Sequence, residues 1–111
     1  MLRDETIRRV LKFRDDRDWR QFHTPKDLAL SMTLEAGELL EVYQWSGTDL
    51  ECREKLPRIR EELADVLSYC ILMADVLGLD LDEIMNAKVD KNEAKYPVEK
   101  ARGRAEKYTE L

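Results

Sequence analysis

Apolar residues recur along most of this chain at helical intervals. Ile7, Val10 and Leu11, with Arg14 in the next register position and Phe13 beside it, mark one face of a helix over roughly Asp4 to Arg17. The stretch Asp15 to His23 breaks the pattern. It is polar, yet it holds Trp19, Phe22 and the only histidine. Thr24-Pro25-Lys26-Asp27 restarts a helix: Thr24 caps, Pro25 fits the first helical position, and Asp27 complements the positive helix end. This second helix is predicted from Pro25 to about Gln44. Trp45 follows, then a turn at Ser46-Gly47-Thr48-Asp49. Thr48 and Glu51 form a capping-box pattern, predicting a short helix to about Lys55. A long helix is predicted from about Pro57 to Leu77, closed by Gly78 in a left-handed cap. Asp80 and Glu83 repeat the capping logic for a helix over Leu81 to Lys95, with Leu81, Ile84, Met85 and Val89 towards the core; Pro97 stops it. The reading is an all-α domain over residues 1–97 and a charged tail over 98–111, either mobile or folded over a partner subunit.

Two carboxylate pairs interrupt these apolar stripes. Glu35 and Glu38 lie three apart, as do Glu62 and Asp65, so each pair shares one side of its helix. Leu28, Met32, Leu39 and Tyr43 share a broad face with Glu35; Val66, Cys70 and Met73 flank Glu62. A bare charge at such an edge is costly unless it is paired or bound to metal. Four carboxylates from facing helices suit a hard cation that takes oxygen ligands, Mg²⁺ first, with Mn²⁺ an acceptable substitute. Glu38 is the first candidate for accepting the proton of an attacking water, and Glu35 the second. The plain alternative is a solvated acidic face.

Composition narrows the classes. The chain has 111 residues, enough for one core, with only 4 Gly and 3 Pro and a net charge of −5. That balance argues against a duplex-DNA binder and leaves a metal-complexed nucleotide open. Cys52 and Cys70 match no zinc spacing, and Cys70 on an apolar stripe reads as a buried small side chain. One histidine excludes a multi-histidine zinc site, and Glu-x-x-His pairs of a di-iron bundle are absent. No glycine-rich phosphate loop is present. The charged first residues do not read as a signal peptide and no apolar run approaches a membrane span, so a cytoplasmic location away from membranes is expected.

The order of these segments resembles a known family. Glu35-x-x-Glu38, 23 intervening residues, then Glu62-x-x-Asp65 is similar to the MazG-like all-α nucleoside triphosphate pyrophosphohydrolases. Arg17-Asp18-Trp19-Arg20-Gln21-Phe22-His23, Glu35-Ala36-Gly37-Glu38-Leu39, Gln44-Trp45 and the segment Lys88 to Pro97 resemble the branch containing the dCTP pyrophosphatases. The resemblance spans about Phe13 to Tyr108. It implies a four-helix-bundle-like fold with short extra helices, assembled as a homodimer or a dimer of dimers. It implies Mg²⁺-dependent hydrolysis of a nucleoside triphosphate to monophosphate and pyrophosphate, with dCTP or a modified cytosine nucleotide as substrate, as nucleotide-pool cleaning. Glu35, Glu38, Glu62 and Asp65 carry over as metal ligands. Trp19, His23, Trp45 and Tyr69 carry over to the nucleoside pocket, and Lys88, Asn92, Lys95 and Tyr96 to the substrate-contacting segment.

The residues allow parts of that reading independently. Tyr69 lies four after Asp65 and seven after Glu62, on the carboxylate side of its helix. Trp19 and Trp45 offer flat faces on which a base can stack, or serve as core or interface anchors. His23 shares a side with Trp19 if that stretch is helical; otherwise it is an ordinary polar residue. Lys88, Lys91 and Lys95 form a row that is either a solvated face or a phosphate site. The competing reading is a non-catalytic helical regulatory module with a solvated acidic face; a divalent-metal carrier is a third.

Overall fold

Thr24 Oγ1 accepts the Asp27 N–H at 3.1 Å in the computed structural model, which describes residues 2–111, and the second helix starts where its cap signal stands. All regular elements among the described residues are helical. They are α1 (Asp4–Asp16), α2 (Pro25–Val42), α3 (Leu56–Leu77), α4 (Leu81–Lys95) and α5 (Val98–Ala101). Short 3₁₀ turns lie at Arg20–Phe22, Arg53–Lys55 and Tyr108–Glu110. None of the described helices is long and apolar enough to cross a membrane.

Gly78 closes α3 at φ +68°, where its N–H donates to the Ala74 and Asp75 carbonyls. That left-handed cap strains any side chain with a Cβ. Asp80 Oδ1 accepts the Glu83 N–H at 3.0 Å and starts α4. Two local expectations fail. The second helix ends at Val42, two residues before Gln44, because Tyr43 and Gln44 close into turns and Trp45 takes φ +66°. The predicted helix from Thr48 to Lys55 is only a 3₁₀ turn at Arg53–Lys55. There Asp49, not Thr48, is the local acceptor: its Oδ1 takes the Glu51 and Cys52 N–H groups, and Cys52 sits at φ +48°. An Asx-type turn has won over the capping box.

The chain forms two compact units, residues 1–78 and 79–111. In the first, α2 and α3 run antiparallel. Met32 meets Cys70, Glu35 meets Glu62 and Asp65, and Glu41 meets Arg58, so contacts climb one helix as they descend the other. Lys55 Nζ donates to the Val42 carbonyl at 3.2 Å and ties the base of the pair. Helix α1 lies against α3, joined by Arg14 Nη1 and Asp75 Oδ2 at 2.6 Å. The sealed core is small: Leu28, Val42, Cys52, Ile71, Leu72 and Ala74. Cys70 is only half-buried. Leu30, Leu34, Leu63 and Leu67 remain exposed on α2 and α3, with Leu34 at 69%. Gly37 faces open space within this chain.

The second unit holds α4, α5 and the last 3₁₀ turn. Tyr96 and Tyr108 meet edge to face at 5.9 Å, and Lys95 Nζ lies 5.0 Å above the Tyr108 ring. Leu81 is half-buried, but Ile84, Met85 and Val89 are exposed rather than turned into a core. The elements that share this unit with α4 are too short to cover its apolar side.

Candidate metal centre and adjoining cleft

The i, i+3 spacing on each helix and the antiparallel pairing of α2 with α3 determine where the carboxylates meet. Glu35, Glu62 and Asp65 each offer an oxygen, and these oxygens lie within 4.8 Å of one another. Glu35 and Glu62 are half-buried and Asp65 is exposed. Glu38 stands beside them on the solvent side, its carboxyl close enough to hydrogen-bond both Glu35 and Glu62 when one partner is protonated. All four predicted acids therefore share one locality.

Their electrostatics are unfavourable as carboxylates alone. Burial raises the Glu35 carboxyl above the ordinary glutamate value, and Glu38, Asp65 and Glu62 push it further up. Glu62 is raised by the same causes, desolvation first and then Glu38 and Asp65; Arg58 partly opposes them. Glu35 Oε2 and Glu62 Oε2 are buried without a hydrogen-bond donor among the described residues. Acceptor atoms buried without donors cost free energy, and a cation between them removes that cost. The donor set is all oxygen and anionic, which fits Mg²⁺ or Mn²⁺ and not a soft metal.

A cleft of about 620 Å³ opens beside Asp65, between α1 and α3. Its wall includes Trp19, His23 and Tyr69, three of the four residues expected around a nucleoside. Trp19 is propped edge to face on Phe13 at 5.6 Å, and its backbone N–H donates to the Arg14 carbonyl. The Arg17 guanidinium covers the Phe13 ring at 3.7 Å. His23 follows the 3₁₀ turn that carries it towards α3, and its Nδ1 is buried without a partner. Burial, aided by the charge of Arg14, lowers the His23 pKa and favours the neutral ring.

Trp45 is the exception. It does not line this cleft; it is 92% exposed on the turn after α2. Because α2 ends early and the backbone turns left-handed at Trp45, the ring is directed into solvent in this chain. Lys88, Asn92 and Lys95 lie exposed along α4, and Tyr96 is half-buried at its end, all in the second unit. The cleft also contains residues that the sequence reading did not place there: Thr6, Arg9, Phe13, Arg14 and Ser68. One signal for Arg14 was available, a charged residue in register with the apolar face of α1.

Comparison with known proteins gives one consistent result. The family model described as MazG-like matches residues 30–111. The chain is 42% identical to dCTP pyrophosphatase 1 of Mus musculus over 113 residues, covering 96% of this chain and 66% of that protein. It is 42% identical to dCTP pyrophosphatase 1 of Homo sapiens over 115 residues, with the same shares covered. The chain thus spans slightly less than two thirds of these relatives' length. Its fold is similar to the crystal structure of a pyrophosphatase from Archaeoglobus fulgidus DSM 4304, with a TM-score of 0.79 and 40% identity. That match covers 85% of this chain and 91% of the archaeal one.

Proposed function

This chain belongs to the MazG-like family, and on that premise we propose that it is a Mg²⁺-dependent nucleoside triphosphate pyrophosphohydrolase. It takes dCTP or a modified cytosine nucleotide and releases the monophosphate and pyrophosphate. The observation that carries the proposal is a carboxylate cluster with two donorless buried oxygens, whose Asp65 also lines a cleft walled by Trp19, His23 and Tyr69. A solvated acidic face, as on a non-catalytic interaction module, would leave those oxygens in water.

Each group then has a task. Glu35, Glu38, Glu62 and Asp65 would hold the metal, which when bound neutralises phosphate oxygens and orients the triphosphate. Glu38, exposed beside the other carboxylates, would take a proton from attacking water, with Glu35 the second candidate for that role. Trp19 offers a ring face to the base, steadied by Phe13. Tyr69 lies one turn beyond Asp65 and contacts the nucleoside above the acids. Lys88, Asn92, Lys95 and Tyr96 remain candidates for binding phosphate. Self-association as a dimer or dimer of dimers would cover Leu30, Leu34, Leu63 and Leu67, since so small a sealed core leaves two helices apolar on their outer sides.

The test is pyrophosphate release from a panel of deoxynucleoside triphosphates, with wild type and Glu38→Ala compared at saturating Mg²⁺. Release that is abolished by the substitution and by EDTA supports the proposal. Wild-type protein inert toward every triphosphate overturns it.

A further inference from the structure

Arg14 is buried, at 4% exposure, in the wall of the cleft. A guanidinium has five N–H donors and is always charged. Two donors are engaged: Nε with Asp15 Oδ1 at 2.8 Å and Nη1 with Asp75 Oδ2 at 2.6 Å. These partners come from α1 and α3 and clamp the group in one orientation. Nη2 meets no acceptor among the described residues and is not sealed in. An immobilised cation with unused donors thus lies in the wall of the cavity that His23 also lines, the His23 Nδ1 itself being buried.

We propose that Arg14 reads the hydrogen-bonding edge of the base and is the specificity-determining residue that selects cytosine over uracil or thymine. This rests on the cleft being the nucleoside pocket, as argued above. Cytosine presents two acceptors, O2 and N3, and one donor, its exocyclic amine. The remaining N–H groups of Arg14 supply donors for the acceptors. Uracil and thymine carry N3–H where cytosine has a lone pair, so a donor would face the Arg14 donors. Buried groups left unpaired in this way reject a ligand strongly.

The experiment compares dCTP with dUTP, which differ only at that edge, in wild type, Arg14→Lys and Arg14→Met. The readout is the ratio of kcat/KM for the two nucleotides within one sample, which cancels any inactive fraction. A parallel readout is quenching of tryptophan fluorescence by dCMP and dUMP without metal. Arg14→Lys keeps a cation for Asp75, and Arg14→Met combined with Asp75→Asn removes the stranded charge should the single change impair folding. The expected result is a wild-type preference for the cytosine nucleotides that falls about tenfold or more in every Arg14 variant. A wild-type ratio near one, or variants that keep the wild-type ratio, overturns the inference. If no triphosphate is hydrolysed but dCMP binds more tightly than dUMP in an Arg14-dependent way, the pyrophosphohydrolase reading fails and this assignment stands.

Discussion

Glu35 on α2 and Glu62 on α3 each turn one carboxylate oxygen, Oε2, into the protein where no described donor meets it. Both carboxyls are raised by desolvation and by neighbouring acids. That crowding works against the pairing of α2 with α3. Their close pairing makes sense as a cradle shaped for a divalent cation.

Metal should therefore stabilise the fold. With Mg²⁺ at about a hundred times its Kd, the melting temperature should rise by roughly 5–15 °C over that in EDTA. Superimposable melting curves would contradict the cradle.

Glu62→Gln separates charge crowding from ligation. In EDTA the variant should melt higher than wild type, because one repelling charge is gone. Its Mg²⁺-induced shift should shrink. Pyrophosphate release should fall by at least the roughly 10–100-fold that even outer-shell partners of a metal contribute. A variant less stable in EDTA but unchanged in metal response would assign Glu62 to packing alone.

The raised carboxyls set a pH trend for metal-free protein. Below about pH 4.3 these acids are protonated in both folded and unfolded chains and contribute no difference. As pH rises through the window between that value and their higher folded values, the unfolded chain loses protons first. The folded state then binds more protons, and the contribution of these acids to stability falls with pH. Denaturant titrations in EDTA across this window should show wild type losing stability relative to a Glu35→Gln/Glu62→Gln variant; saturating Mg²⁺ should reverse the trend, because the metal binds the deprotonated acids that only wild type carries. A wild type that loses stability against the variant as steeply in Mg²⁺ as in EDTA would contradict this.

Much of this architecture was legible from local signals. The Thr24 and Asp80 caps, the Gly78 stop and the two i, i+3 acid pairs act within a few residues, so the sequence shows them directly. The turn at 49–52 was misread because Asp49 and Thr48 compete for the same backbone donors, and only the geometry around Cys52 decides between them. Arg14 as part of the cleft depends on Asp75, sixty-one positions away, a pairing no local pattern reveals. Trp45 was placed in the pocket through resemblance, and the early end of α2 directs it into solvent instead.

Leu34, at 69% exposure beside Leu30 on α2, tests self-association. Leu34→Glu should convert an oligomer to monomer in light scattering at micromolar concentration, with helical content retained. An oligomer that survives this change and Leu67→Glu as well would place the interface elsewhere.

Lys88 and Lys95 share one side of α4, but only Lys95 is engaged over Tyr108. Lys88→Ala should raise KM for triphosphates several-fold with an unchanged melting temperature, as a phosphate contact requires. Unaltered kinetics would make this row an ordinary solvated face.

Anomalous scattering from crystals grown with Mn²⁺ tests the central claim most directly. The account predicts a peak within about 2–2.5 Å of carboxylate oxygens from Glu35, Glu62 and Asp65, lost in Glu62→Gln crystals. A fully soaked crystal with no peak between those three side chains would contradict it.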